Sequence, residues 1–360
     1  MSNIELGLDT FGDVTADADG RLLPQAHVLR DVITEAELAD QVGVDFFGVG
    51  EHHRPDFAIS APEVLLAAIA GRTERLRLGT AVTVLSSDDP IRVYQRFSTL
   101  NAVSNGRAEV ILGRGSFTES FPLFAYSLDD YNVLFEEKLA IFAALRDADR
   151  TGQPVRWKGT VRPPLDGVRV FPPVERPPLS TWVGVGGSPK SVVRAARYGF
   201  PLTLAIIGGD PRRFKPYVDL YHKALTQRGY GSLPIGVHSP GHIAQTDAQA
   251  REELWPAYEV MRNRIGAERG WGPTSRAEFD HEIAEGSLYV GSPETVARKI
   301  AATVRALGAS RFDLKYSAGT LGHQLLLRSI ELYGREVIPR VRQLVSGSVR
   351  AKGEIVVSGV

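Results

Sequence analysis

The chain contains no cysteine. Disulfides, thiolate zinc sites and a cysteine nucleophile are therefore excluded. It also carries no net charge: 42 basic residues balance 42 acidic ones. There is thus no global field to hold a nucleic acid or an anionic membrane, although a local patch is not excluded. No run approaches the roughly 18 apolar residues of a membrane span. The first residues, MSNIELGLDTFGDV, lack the basic flank and apolar core of a secretory signal. These absences together point to a cytoplasmic location, with no nucleic-acid and no membrane partner. Walker, Gly-x-Ser-x-Gly and His-Glu-x-x-His motifs are missing at usable positions as well.

What the sequence does have is rhythm. Short apolar runs alternate with longer segments of helical spacing, which is the sequence sign of βαβ units and a parallel sheet. Strands are predicted at residues 4–9, 44–49, 76–85, 108–112, 181–185, 201–207, 235–238 and 312–316. Helices are predicted at 26–42, 61–73, 91–104, 129–145, 189–198, 212–227, 247–265 and 293–307, with more helical sequence from 322 to about 345. Eight strands, each joined to the next by at least one helix, suit an α/β protein of the (β/α)8 TIM-barrel type. An open doubly wound sheet is the alternative. The rhythm breaks twice, at 148–180 and at 266–288, where insertions are expected. The first is rich in proline and glycine and reads as a hairpin built from residues 155–157 and 168–171. The expected organisation is one barrel domain over residues 1–345 and a tail, 346–360, that lacks helical spacing.

Barrel enzymes work at the C-terminal ends of their strands. Three such places carry chemistry. Glu51-His52-His53 follows the second strand and offers a base, an acid and an orienting partner near neutral pH; a solvated loop is the plainer reading. Adjacent residues on an extended chain face opposite ways, so His52 and His53 are poor joint metal ligands. Gly113-Arg114-Gly115-Ser116 follows the fourth strand. Glycines let an anion approach the backbone, and arginine offers a fork for phosphate oxygens, but a loop arginine paired with an acid reads the same way. Gly186-Gly187-Ser188-Pro189-Lys190-Ser191 joins a strand to a helix. Its amides and hydroxyls suit a phosphate, while Ser188 also suits a plain N-cap with Pro189 at the first helical position.

The order of these features resembles the bacterial-luciferase-like flavin-dependent monooxygenases. The resemblance rests on Glu51-His52-His53, LGTAVTVLSSDDP (78–90), STLNAVSNGRAEVILGRGS (98–116), VGVGGSPKSVVRAARYG (183–199), GSPETVARKI (291–300) and IELYGREVIP (330–339). It implies a barrel that holds FMN at the strand mouth. Arg114, Gly186, Gly187, Ser188 and Ser191 would hold the phosphate. Ala81 and Val82 fall where the family often has a non-prolyl cis peptide beneath the flavin ring. His52 matches the proton-transfer histidine, with Glu51 and His53 orienting it. One departure is plain. The luciferases carry a cysteine where this chain has Gly113, so light emission is not implied, and the small residue is expected to open room for a substrate or another flavin pose.

The function implied is a monooxygenase that takes reduced FMN from a separate NAD(P)H:flavin reductase and uses O2 on a small organic substrate. A homodimer is the family habit. Three rivals stand beside it: deazaflavin-dependent hydride transfer on the same fold, a flavin-binding protein without turnover, and a metal-dependent hydrolase using His52, His238 and His242. The loops after Gly115, with Phe117, Phe121 and Phe124, and around 266–286 are candidate pocket walls.

Overall fold

Residues 4–115 and 117–353 are described by a computed structural model, with side chains described as far as residue 346. Eight parallel staves form the sheet: β1 Glu5–Thr10, β2 Phe46–Val49, β3 Arg77–Thr80, β4 Glu109–Gly113, β5 Ser180–Val185, β6 Leu202–Ala205, β7 Ile235–Ile243 and β8 Arg311–Lys315. β1 pairs with both β2 and β8, and the ladder runs on through β7, β6 and β5 to β4. A parallel bridge from Leu78 to Ala108 brings β3 back against β4 and closes the ring. The predicted single strand 76–85 is thus two pieces. After β3 comes a cis peptide between Ala81 and Val82, and then a short segment, Thr83–Val84, that pairs with β4.

The main apolar core lies between the staves and the surrounding helices, as in the helix Pro293–Leu307, which buries Val296, Ile300, Val304 and Leu307 along one side. The barrel's interior is a separate and smaller space. Its middle is filled by Phe46, Ile111 and Trp182, with Val82 against them. Gly79 makes room for Phe46: a Cβ there would lie 2.8 Å from the Phe46 ring. Beneath this layer, at the N-terminal ends of the staves, Arg311 is fully buried. It bonds both oxygens of Asp313 (2.9 and 2.8 Å) and one of Glu109, and its guanidinium lies 3.7 Å from the centre of the Phe46 ring. Burial pushes the Asp313 carboxyl up to about 7 although Arg311 pulls the other way.

Several boundaries differ from the sequence reading. The second hairpin strand is Leu165–Val168, three residues earlier than expected, with Val155 pairing Val168 and Trp157 pairing Leu165. The helix Asp247–Arg269 outruns its predicted end, and the second insertion is a helix, Arg276–Ala284, opened by a capping box at Ser275, followed by a short strand, Tyr289–Gly291, on the end of β7. The last helix, Ile338–Gly353, carries the backbone beyond residue 345 into the segment read as tail; residues 354–360 and Ser116 lie outside the described residues. No helix among the described residues is long and apolar enough to cross a membrane.

One outer contact is pH-sensitive. Glu35, buried on the helix Gln25–Gln41, accepts from Tyr316 (2.6 Å) and meets His323 Nδ1 at 2.8 Å. That hydrogen bond raises the His323 pKa, against a smaller opposing effect of burial. A histidine raised on folding stabilises fully below its unfolded value, about 6.5, and loses that contribution as pH climbs through the folded value. His323→Gln is therefore expected to cost most stability in mildly acidic buffer, the gap to wild type shrinking above neutrality in urea titrations; a gap independent of pH would refute this. Arg311→Met, which strands the buried Asp313 carboxylate and leaves Glu109 only Arg77 as a counter-ion, is expected to cost about 3–5 kcal/mol in the same assay. A loss within experimental error would mean the cluster contributes nothing to stability.

Candidate active site

The three strand-end motifs meet around Val82. Glu51 N–H donates to the Val82 carbonyl (3.3 Å). A Cβ on Gly113 would lie 2.5 Å from a Val82 methyl, and one on Gly184 would lie 3.0 Å from the other. A Cβ on Gly48 would lie 3.2 Å from Ala81, and one on Gly50 3.0 Å from its carbonyl oxygen. Residues without side chains thus ring the cis peptide, which sits in the barrel mouth. This corrects one expectation: the volume that Gly113 vacates is filled by Val82 rather than left open.

On one side of Val82 stands the loop after β2. Glu51 and His52 are buried. Glu51 accepts from Val84 N–H (2.9 Å) and meets His53 Nε2 at 3.0 Å. His52 Nδ1 lies 3.4 Å from Glu119, which also accepts from the His53 amide. Burial alone would raise Glu119, but these bonds hold it below the ordinary carboxylate range. The His52 ring is boxed by Phe11, Phe57 and Phe117, at centroid distances of 4.8, 4.6 and 5.3 Å. His53 turns elsewhere, edge-on to Phe124. Of the three phenylalanines flagged in sequence, Phe117 alone reaches His52; Phe121 is core, stacked on Tyr131, and Phe124 is exposed. The helix ending at Arg269 closes over this loop: Glu268 grips Arg54, and Arg54 covers the outer face of Phe117 at 4.4 Å.

On the other side stands an anion-friendly corner. Arg114 donates to Ser191 Oγ (3.4 Å) and to Asn132 (3.3 Å), both neutral, and it forms no salt bridge among the described residues. The alternative of an acid-paired loop arginine is thus not what the structure has. Nearby, Glu136 is taken by Arg194 and Arg197. Ser188 is the N-cap of the helix Pro189–Arg197, yet its side chain makes no capping bond, and the helix has no acidic residue in its first turn. Gly187, at φ +99°, holds a conformation that L side chains rarely adopt, and Gly186 has open space where a Cβ would be. Helix N-terminal amides, two glycines, two serines and a guanidinium without an acid make a site for a dianion.

The metal-hydrolase reading finds no support in the geometry. His238 is bonded to Asp9 and His242 to Glu253, and no group of three or more His, Asp or Glu among the described residues is placed to hold a metal. A cavity of about 240 Å³ lined by Gln25, His52, His53, Arg54, Pro55, Phe57, Ala58 and Ser60 lies on the far side of the His52 loop. It includes neither Val82 nor Arg114, so it is not where the motifs converge. Sequence reasoning missed Asp9, Asp13 and Lys315, although all three lie at or just past strand ends, and Glu119, whose tie to His52 spans 67 residues without any spacing signal.

Comparison with known proteins agrees with this geometry. The family profile of luciferase-like monooxygenases matches residues 11–311. The 4-hydroxyprotoasukamycin monooxygenase of Streptomyces nodosus subsp. asukaensis is 27% identical over 337 residues, covering 88% of each chain. Two solved structures share the fold. The oxygenating constituent of 3,6-diketocamphane monooxygenase from Pseudomonas putida, in complex with FMN, superposes with a TM-score of 0.76 at 20% identity, over 94% of this chain and 98% of that one. An F420-dependent secondary alcohol dehydrogenase in complex with an F420-acetone adduct superposes with a TM-score of 0.73 at 18% identity, over 94% and 99%. With a mostly parallel barrel, a rim that gathers the three motifs, and a family match across most of its length, this chain belongs to the luciferase-like monooxygenases, a family with both FMN- and F420-dependent relatives.

Proposed function

We propose that the chain is an FMN-dependent monooxygenase acting on a small organic substrate with O2. The observation that carries this reading is the meeting at Val82 of the strand ends that lead into His52, Arg114 and Ser188, with Arg114 bonded to Ser191. The donor set fits a flavin phosphate: Arg114 has neutral partners only, and the Ser188 N-cap leaves its hydroxyl uncommitted to the helix. Arg114, Gly186, Gly187, Ser188 and Ser191 would hold the phosphate, and Ala81 and Val82 would support the ring. Reduced FMN, when bound, supplies the electrons that activate O2, one atom of which enters the substrate.

The chain's own residues handle position, protons and water. If the His52 Nδ1–H faces the Glu119 carboxylate, Nε2 is the acceptor, so His52 can take a proton there and return it. Glu51, fixed by Val84 N–H, orients His53. Phe11, Phe57 and Phe117 wall the His52 ring and limit its contact with water. A separate NAD(P)H:flavin reductase, a dimeric state and a cytoplasmic location belong to the same proposal.

Fluorescence titration of the purified protein with FMN and with the deazaflavin coenzyme separates the two cofactor readings; tighter binding of the deazaflavin would overturn this one. Arg114→Ala is expected to weaken FMN binding by about 1.5–3 kcal/mol, the worth of a hydrogen bond to a charged group. Unchanged affinity would remove Arg114 from the phosphate site. With chemically reduced FMN, oxygen and a panel of aldehydes, ketones and phenols, His52→Gln is expected to lower product formation by about 10²–10⁴-fold without weakening flavin binding. Full activity in that variant would exclude His52 from proton transfer.

A further inference from the structure

Opposite His52 the rim holds a second histidine. Phe11 stands between them: its ring is edge-on to His52 and stacked parallel to His238, 6.2 Å away at 17°. His238 lies on β7 with its side chain on the inner face of the barrel, in register with Asp313 of β8. Its Nδ1 meets Asp9 Oδ2, from β1, at 2.7 Å. Asp9 is fully buried, and its second oxygen, Oδ1, has no partner among the described residues. The pair therefore contains a carboxylate that nothing but His238 compensates directly. The nearest other cation, Lys315, is committed to Asp13 (2.8 Å) and to Ser317.

A buried carboxylate without another partner keeps its neighbour protonated, because an ion in low dielectric needs its counter-ion. Burial by itself would lower the His238 pKa. The charge and hydrogen bond of Asp9, helped by the charge of Asp313, outweigh that and the opposing charge of Lys315, and raise it. With Nδ1–H given to Asp9, the imidazolium has one donor left, Nε2–H, on the opposite edge of the ring. What remains exposed of the pair belongs to His238, 9%, against 0% for Asp9. Phe11 lies alongside the His238 ring, with Lys315 Nζ 4.7 Å from the centre of the Phe11 ring and the boxed His52 beyond it.

We propose that His238, held as a hydrogen-bond donor by Asp9, binds the ionised hydroxyl oxygen of a phenolic or enolic substrate at the barrel mouth. A cationic donor beside an aromatic wall favours a planar ring bearing an anionic oxygen over a neutral carbonyl chain. Ionising that hydroxyl also makes the ring carbons ortho and para to it electron-rich, the state that an electrophilic oxygen donor attacks. The substrate's fate rests on the oxygenase reading above; the binding of its oxygen by His238 does not.

The test uses 4-nitrophenol, whose ionisation is read from its visible absorbance, with flavin-free protein and no oxygen chemistry. Wild type is expected to bind the phenolate roughly tenfold or more tightly than the neutral phenol, so that the bound probe ionises at lower pH than the free one. His238→Gln is expected to abolish this preference and Asp9→Asn to weaken it, with circular dichroism confirming that each variant folds. If one variant does not fold, the other carries the comparison, made with inorganic phosphate present to occupy the Arg114 corner. Absence of binding, preference for the neutral phenol, or equal preference in wild type and variants would overturn the proposal. None of these outcomes bears on FMN binding or oxygen consumption, so the oxygenase reading stands or falls separately.

Discussion

A guanidinium sealed inside a closed barrel is the contact on which the rest of this structure is stacked. Arg311 can occupy that space because Asp313 takes its Nε and Glu109 one of its terminal nitrogens, and because Phe46 and Trp182 offer their ring faces; its other terminal nitrogen has no hydrogen-bond partner among the described residues. The ionic layer fills the N-terminal end, the aromatic layer rests on it, and Val82 rests on the aromatics. A closed ring of eight staves leaves no empty room, so each layer fixes the height of the next. The height of Val82 in turn sets the height of the mouth.

The mouth is divided by that residue into two chemical halves. One half carries two histidines, His52 and His238, on either side of Phe11, each with its own carboxylate. The other carries Arg114, Ser191 and a helix start with no acid of its own, the corner proposed above for a phosphate. Among the described residues no three metal-ligating side chains are grouped to hold a metal ion, and the chain has no thiol.

How legible this was depended on the range of each interaction. Helices such as Pro293–Leu307 were readable because their spacing is local, and Arg114, His52 and Ser188 were readable because each directly follows a strand. The break in β3 was not readable from spacing: the residues from Leu76 to Leu85 hold no proline and are rich in leucine, valine and threonine, and it was the family resemblance that pointed to Ala81-Val82. The end of β7 was misjudged because Pro240 reads as a stop, while the structure continues to Ile243 by recruiting the strand Tyr289–Gly291 from an insertion. The room expected at Gly113 depended on a neighbour 31 positions away along the chain, which nothing in the local sequence announces.

By itself, the sequence determined the alternation of strand and helix, the absence of thiol chemistry, and the positions where barrel function had to sit, since these follow from local periodicity and composition. Only the tertiary structure decided that Val82 stands between the motifs, that Arg114 faces neutral partners rather than an acid, and that Asp9 and His238 form a pair across 229 positions of chain. Those outcomes rest on barrel closure and register. Neither is written in any short stretch of residues, because each is a property of the ring as a whole.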